Sequence, residues 1–269
     1  MIAHNLSFNG ASIAVFTKGN IENNPIVFLH GNSLSSLTYK KQFEMFDLPM
    51  VALDLHGHGS SAPAGDPERT YSIPGYGEML AHVTEELKLK DFILAGHSLG
   101  GHVATEALPF LKGAKGLFIF GTPPLASINS LGEAFLPNPL FPLLLQGELS
   151  AEEAGSLGMG MVTNKKYGID LKNEILKTDP AARSFFGASV GRAMMSDEVA
   201  ILNSLSYKLA IVHGKDDAFI NPVYIEGLNF GNLWEGKIHY IEDSGHCPQM
   251  EQPHRFNELL GRYHRYIYA

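Results

Sequence analysis

The chain of 269 residues lacks the marks of a disulfide-rich, membrane-spanning or nucleic-acid-binding protein. Cys247 is its only cysteine, so no internal disulfide can form. It has 20 basic residues against 28 acidic ones, and the net charge of -8 disfavours nucleic acid and anionic membrane surfaces as partners. No apolar run approaches the ~20 residues of a membrane helix, and residues 1–6 lack the basic start of a signal peptide. We therefore expect a soluble, cytoplasmic protein.

Short apolar runs predict a buried, parallel sheet. Between residues 26 and 121 these runs alternate with stretches of helical spacing, which is typical of parallel strands joined by crossover helices. The alternation resumes at residue 209. The predicted strands are 26–29, 50–53, 92–95, 116–121, 209–212 and 237–241, preceded by an edge strand at 11–17. The predicted fold class is therefore α/β, with a mostly parallel central sheet and flanking helices.

The segment 122–206 interrupts the alternation and has no strong strand pattern. Five prolines fall between residues 123 and 142, a capping-box pattern begins at Ser150, and Asp179-Pro180 can begin another helix. We interpret this segment as a helical cap over the carboxyl edge of the sheet. Residues 1–121 and 207–269 would then form the core domain, and some apolar cap residues would line a ligand cavity.

Residues 92–110 carry the strongest functional signal. A buried strand runs into Gly96-His97-Ser98-Leu99-Gly100, and a helix pattern follows at once. This order is that of a nucleophile elbow, in which the serine lies on a sharp, strained turn above the sheet. The two glycines avoid the clash that a Cβ would make with neighbouring backbone. Ser98 is therefore the predicted nucleophile.

Two further strand ends supply an acid and a base. Asp217 follows the strand at 209–212, and His246 lies in a Gly-His loop after the last strand. The carboxyl ends of parallel strands share one edge of a sheet, so Ser98, Asp217 and His246 can meet there. Their order along the chain is that of the elbow architecture. His246 would take the proton of Ser98, and Asp217 would hold the imidazole in the required tautomer.

Other carboxylates compete with Asp217 for the role of the acid. Asp216 is its neighbour in sequence, but the spacing Gly-x-x-Asp counted from Gly214 selects Asp217. The two acids at 242–243 share a strand end with His246 and lie too near to support its ring easily. Asp217 is therefore the predicted acid.

Two backbone amides are candidates for an oxyanion hole. The Leu99 N–H lies at the start of the helix after the elbow, where it would point toward a developing oxyanion. The Asn32 N–H lies in the loop after the strand at 26–29, and a glycine at Gly31 lets this loop fold back over the strand end. We expect Gly31 and Asn32 to contact the substrate beside the elbow.

A pair of histidines, His56 and His58, raises the alternative of a metal site. Metal-dependent lactonases use a His-x-His-x-Asp-His cluster, but the next acid here is Asp66, which is too late for that spacing. The glycines and the serine around the pair fit a tight loop instead. We therefore expect neither a metal nor another cofactor.

The motifs together resemble the α/β-hydrolase superfamily over nearly the whole chain. In family order they are His-Gly at 30–31, Asp-Leu-His-Gly-His-Gly-Ser at 54–60, the elbow, Gly-x-x-Asp at 214–217 and Gly-His at 245–246. The runs at 30–33, 69–72, 121–124 and 230–237 resemble the metal-independent N-acyl-homoserine lactonases of this fold. The likeness departs at Asp217, where the lactonase pattern has a glutamate, and in the cap, which sets acyl specificity.

The resemblance implies a serine hydrolase that cleaves a carboxylic ester or lactone through an acyl-enzyme. The expected substrate is the lactone ring of N-acyl-homoserine lactones, attacked by Ser98 while the amides of Leu99 and Asn32 hold the oxyanion. Two alternatives are a carboxylesterase for another small neutral acyl ester and a hydrolase-fold receptor that only binds its ligand. Dehalogenases and epoxide hydrolases carry an aspartate at the elbow and do not match Ser98. The oligomeric state is left open.

Overall fold

Eight strands form a single sheet in the computed structural model, which describes residues 2–269. The strands are β1 (Ile2–Phe8), β2 (Ala11–Lys18), β3 (Ile26–Leu29), β4 (Met50–Leu53), β5 (Phe92–His97), β6 (Ala114–Phe120), β7 (Leu209–Gly214) and β8 (His239–Ile241). Their order across the sheet is β1-β2-β4-β3-β5-β6-β7-β8. Every pairing from β4 to β8 is parallel, and only β1 with β2 and β2 with β4 are antiparallel. The predicted mostly parallel sheet is confirmed.

The central strands are buried on both faces. Every residue of β3, β4, β5 and β7 is buried, which explains why these strands contain apolar runs of four residues rather than an alternating pattern. Neighbouring residues of one strand enter different cores, because successive side chains point to opposite faces. Val27 packs in one core, whereas Ile26 and Phe28 pack in the other.

The antiparallel side of the sheet differs from the prediction. The strand at residues 11–17 was predicted at the edge, and this is wrong, because β2 lies between β1 and β4. The edge strand is β1, whose residues are exposed or only half-buried. Its polar residues His4, Asn5 and Ser7 leave no apolar run in the sequence, so only its pairing with β2 reveals it.

Helices cover both faces of the sheet, and their starts follow from local sequence. The α-helices are α1 (Lys40–Met45), α2 (Pro67–Thr70), α3 (Ile73–Glu86), α4 (Leu99–Ala107), α5 (Leu131–Ala134), α6 (Ala151–Gly160), α7 (Lys165–Lys177), α8 (Pro180–Gly191), α9 (Glu198–Asn203), α10 (Pro222–Gly227), α11 (Pro248–Glu251) and α12 (Pro253–Ile267). Ser150 and Glu153 form the predicted capping box of α6, and Asp179 caps α8. Within residues 2–269, no helix combines the length and apolar character needed to cross a membrane.

The helices α5 to α9 lie between β6 and β7 and form a helical cap insertion. The cap is joined to the loop after β7 by a short antiparallel bridge. The Leu136 N–H donates to the Phe219 carbonyl at 2.8 Å, and the Asn221 N–H donates to the Ala134 carbonyl at 3.0 Å. The division into a core domain, 1–121 with 207–269, and a cap at 122–206 stays a prediction.

Candidate active site

Ser98 lies on a strained turn between β5 and α4. Its backbone angles are φ 50° and ψ −119°, in the left-handed half of the map that a serine rarely adopts. A Cβ at Gly96 would lie 2.5 Å from the Gly100 carbonyl oxygen, so glycine is required at this crossing of strand and helix. Such strain costs on the order of 1–3 kcal/mol and is typical of functional sites.

Hydrogen bonds to the end of β6, to the residue Thr122 beyond it and to α4 hold this turn in place. The Ser98 N–H donates to the Phe120 carbonyl at 2.9 Å, at the end of the adjacent strand β6. The Ser98 carbonyl accepts the Thr122 hydroxyl at 3.0 Å and the Gly101 N–H at 2.8 Å. Both backbone groups of the serine are therefore satisfied, and its hydroxyl, on a half-buried residue, remains for chemistry.

His246 and Asp217 are joined by a buried hydrogen bond. The distance from His246 Nδ1 to Asp217 Oδ2 is 2.7 Å, and both residues are at least nine-tenths buried. Asp217 Oδ1 also accepts the Phe219 N–H at 2.9 Å. Burial alone would raise the pKa of the Asp217 carboxyl, but the adjacent His246 ring and these hydrogen bonds lower it. The ionised Asp217 accepts the proton on Nδ1, which leaves Nε2 of His246 with its lone pair.

Ser98 and His246 both lie next to His97. In the part of the chain that the structure describes, they are not hydrogen-bonded to each other. The ring of His97, next to Ser98, lies 4.9 Å from that of His246, measured between centroids. A Cβ at Gly121 would lie 3.2 Å from His246 Cε1 and from His97 Cδ2. Hydrogen bonds between a nucleophile and its base often tighten only in the complex with substrate.

The predicted oxyanion donors, the amides of Leu99 and Asn32, each follow a residue of the elbow or one packed against it. Leu99 is the first residue of α4, so its N–H has no partner within the helix. Neither this amide nor that of Asn32 donates to another group within residues 2–269. Gly31 packs against the elbow, because a Cβ there would lie 3.3 Å from Ser98 Cβ and 2.9 Å from His97 Nδ1.

The Asn32 side chain is directed to the cap rather than to the elbow. Its amide nitrogen donates to the Leu144 carbonyl at 2.8 Å, and its oxygen accepts the Ser33 hydroxyl at 3.0 Å. Asn32 therefore offers two different functions. Its backbone amide is available as a donor, and its side chain connects the loop after β3 to the cap.

The carboxylates that compete with Asp217 for the role of the acid lie on the surface. Asp216 is exposed, and Glu242 pairs with Lys215 at 2.6 Å on the surface. Cys247 is wholly buried, and burial raises the pKa of its thiol well above the ordinary value, so it is a packing residue rather than a nucleophile.

The histidine pair of the loop after β4 is also buried. His56 Nδ1 donates to the Ala62 carbonyl and His58 Nδ1 to the His56 carbonyl, each at 3.0 Å. Burial lowers the pKa of His58 to about 3. In the described part of the chain, residues 2–269, no three His, Cys, Asp or Glu side chains converge as metal ligands.

Sequence reasoning missed one site residue, His97, which is part of the elbow motif itself. Its Nε2–H donates to the His246 carbonyl at 2.8 Å, and its ring stacks on Phe120. Burial lowers the pKa of His97 well below its ordinary value, and the nearby His246 lowers it further. The ring therefore stays neutral and holds the backbone of His246. The motif showed that His97 was present but not where its side chain points.

A buried ion pair lies one helical turn beyond the elbow. His102 Nδ1 in α4 donates to Glu198 Oε1 at 2.7 Å, and Glu198 Oε2 accepts the Leu125 N–H at 2.8 Å. Leu125 and Glu198 lie near the two ends of the cap segment, so this cluster ties both ends to α4. Burial opposes a charged His102, but the Glu198 carboxylate and, more weakly, Glu106 raise its pKa above the ordinary value.

We expect the His102–Glu198 pair to make stability depend on pH. A folded-state pKa above the ordinary ~6.5 stabilises the fold fully below that value, and the gain is lost as the pH rises through the folded pKa. In Glu198→Gln, which keeps an oxygen for Leu125, unfolding should cost about 2 kcal/mol less than in wild type at about pH 5.5, with a smaller difference at about pH 9. Urea denaturation across this range measures it. A difference that grows with pH would contradict the assignment.

Comparison with known proteins places most of the chain in one family. The profile of the Alpha/beta hydrolase family matches residues 26–259. YisY, an AB hydrolase superfamily protein of Bacillus subtilis, is 23% identical over 89% of this chain and 91% of its own length. An esterase of Mycobacterium tuberculosis is 27% identical over 87% of this chain and 80% of its own length.

A solved structure is more similar than these sequence relatives. It is a variant of the N-acyl homoserine lactonase AidH complexed with N-hexanoyl homoserine lactone. It is 31% identical to this chain, covers 99% of it and 98% of its own length, and superposes with a TM-score of 0.94. An esterase from Rhodococcus, RhEst1, shares the fold at 21% identity and a TM-score of 0.81.

Proposed function

Because this chain belongs to the alpha/beta hydrolase family, we propose that Ser98, His246 and Asp217 form the catalytic triad of a serine hydrolase whose substrates are N-acyl-homoserine lactones. The coarser activity, that of an esterase/lipase-type hydrolase, follows from the family and its esterase relatives. The 2.7 Å contact of His246 Nδ1 with Asp217 carries the triad proposal, since it leaves Nε2 of His246 as a proton acceptor.

The proposed reaction has two steps. His246 Nε2 takes the proton of the Ser98 hydroxyl while the Ser98 oxygen attacks the carbonyl carbon of the lactone. The amides of Leu99 and Asn32 stabilise the resulting oxyanion. Collapse of the tetrahedral intermediate expels the ring oxygen, which receives the proton from His246. The alcohol stays attached to the acyl group, so water activated by His246 must compete with ring closure. Attack by this water releases Ser98 and yields an acyl-homoserine.

Support for a lactone substrate comes from the overall likeness to AidH and from the runs at 30–33 and 121–124, which contact the elbow, rather than from the run at 230–237. The run at 230–237 lies at the beginning of β7, where Leu209 N–H donates to the Asn232 carbonyl at 3.0 Å. The proposed site lies at the opposite end of that strand, after Gly214. The run therefore indicates kinship and does not contact the substrate. The match to AidH over nearly the whole chain, cap included, is the argument for the acyl lactone.

We expect the enzyme to open the lactone ring and to leave the amide of the substrate intact. An amide carbonyl is less electrophilic than a lactone, and its nitrogen must be protonated before it leaves. The product of N-hexanoyl homoserine lactone should therefore be heavier by one water and carry a free carboxylate. Mass spectrometry of the products at neutral pH distinguishes this from amide cleavage, which would release hexanoic acid and homoserine lactone.

The control for this test is the Ser98→Ala protein, because lactones also open without an enzyme. Release of hexanoic acid by wild type alone would identify an acylase. Turnover of simple esters with no turnover of any acyl lactone would leave the alternative, a carboxylesterase, which the similarity to the mycobacterial esterase favours.

A further inference from the structure

Glu251, the last residue of α11, has a carboxylate that bonds to two separate parts of the chain. Oε2 accepts the Gly245 N–H at 2.7 Å. Oε1 accepts the Thr163 N–H and hydroxyl, both at 2.7 Å, and the Asn164 N–H at 2.9 Å. Gly245 immediately precedes His246, and Thr163 and Asn164 belong to the cap. One side chain thus connects the loop of the proposed base to the cap.

Both backbone polar groups of His246 are hydrogen-bonded. Its N–H donates to the Met161 carbonyl of the cap at 2.8 Å, and its carbonyl accepts the His97 Nε2–H. Gly245 lies close to both the cap and Glu251, because a Cβ there would lie 2.9 Å from the Met161 carbonyl oxygen and 3.3 Å from Glu251 Oε2. A shift of Glu251 would therefore shift Gly245 and with it His246.

The chemistry of the contacts requires a carboxylate. All of the groups that meet Glu251 here are donors, and an ionised carboxylate is an acceptor at both oxygens. An amide in its place would turn an NH2 group toward an N–H. Asn164 is also the N-cap of α7, a helix of 13 residues, where a negative charge is favourable. The partners in the cap are exposed, whereas Gly245 is buried.

We propose that Glu251 is a positioning residue that sets the place of His246 relative to Ser98 and couples it to the cap. The proposal rests on the proposed function of His246 as the general base. Glu251 touches neither the substrate nor the reacting atoms. It acts through the backbone of Gly245, and a 1 Å misplacement of a catalytic group can cost about a hundredfold in rate.

The test compares Glu251→Gln and Glu251→Asp with wild type, and Glu258→Gln with all three. Glu258 is an exposed glutamate on α12 whose one ion pair within residues 2–269 is with Arg255, so its variant is the matched control. The rate of covalent labelling of Ser98 by a fluorophosphonate measures how well His246 activates the serine. The values of kcat and KM for p-nitrophenyl butyrate are measured in parallel, and thermal unfolding checks the fold.

For Glu251→Gln we expect labelling and kcat to fall by about 10- to 100-fold, with KM changed by less than about threefold. Glu251→Asp keeps the carboxylate but shortens the side chain by one methylene. Its labelling rate and kcat should lie between those of wild type and Glu251→Gln. The control should match wild type. Wild-type labelling and kcat in a folded Glu251→Gln protein, even one with a lower Tm, would overturn the proposal. If that variant does not fold, wild-type rates in Glu251→Asp would overturn it.

A further readout separates this proposal from the proposed function. The downfield proton resonance of His246 Nδ1–H, bonded to Asp217, reports the position of the ring without any turnover. If wild type is not labelled at Ser98, the proposed triad fails, yet a shift of this resonance in Glu251→Gln would still support the positioning role. An unchanged resonance would overturn it.

Discussion

Replacement of Ser98 by alanine should lower kcat for acyl-lactone and ester hydrolysis by on the order of 10⁶-fold. The reason is that the acyl-enzyme cannot form without the hydroxyl, and only the oxyanion donors and substrate binding remain. Alanine keeps the Cβ, so the strained backbone at φ 50° is unchanged and the fold should be retained. Steady-state kinetics with purified protein, checked by circular dichroism, measures the effect.

The control for this variant is Ser204→Ala, which removes the hydroxyl of an exposed serine between α9 and the beginning of β7. It should have wild-type activity, which excludes a general effect of serine removal. Near-normal turnover by a folded Ser98→Ala protein would remove Ser98 from the mechanism and favour a different nucleophile or direct attack by water.

Asp217→Asn should lower kcat by about 10⁴-fold. Its amide oxygen will face the Phe219 N–H, as Asp217 Oδ1 does now at 2.9 Å. The NH2 group then faces His246 Nδ1 and forces that nitrogen to be the acceptor, which places the proton on Nε2. A protonated Nε2 cannot take the proton of Ser98. The profile of kcat against pH and the kcat of the variant test this reasoning.

Asp216→Asn is the matched control, since the same change is made one residue earlier. Asp216 is exposed, and its N–H, rather than its side chain, is used in the fold, donating to the Ser244 carbonyl at 2.9 Å. We expect near-normal kcat. A large loss in Asp216→Asn together with an active Asp217→Asn protein would show that the acid was assigned wrongly.

The central sheet could be predicted because each of its strands contains a short apolar run, such as 92–95 in β5 and 209–212 in β7. β3, β4, β5 and β7 read directly from the sequence, since burial on both faces demands this composition. β1 could not be read in this way. An exposed edge strand needs no continuous apolar stretch, so its existence depends on the partner strand β2 rather than on its own residues.

The site shows the same limit on sequence reasoning. Ser98, Asp217 and His246 follow strand ends, so the topology alone brings their backbones to one edge of the sheet. The contacts of Asn32 with Leu144 and of Glu251 with Gly245 and Thr163 join the core to the cap. No periodicity encodes such contacts between distant side chains and backbone groups, and only the folded structure reveals them.

The bridge between the cap and the loop after β7 limits how this enzyme can be re-engineered. Exchanging caps between relatives is an obvious way to change acyl-chain preference. Here, however, residues 134–136 bond to the backbone just after Asp217, and Met161 accepts the His246 N–H. A graft that replaces the entire cap would therefore also remove hydrogen bonds that support the predicted acid and base. Grafts should therefore keep residues 134–136, Leu144 and Met161, so that these contacts and the bond from the Asn32 side chain to the Leu144 carbonyl remain.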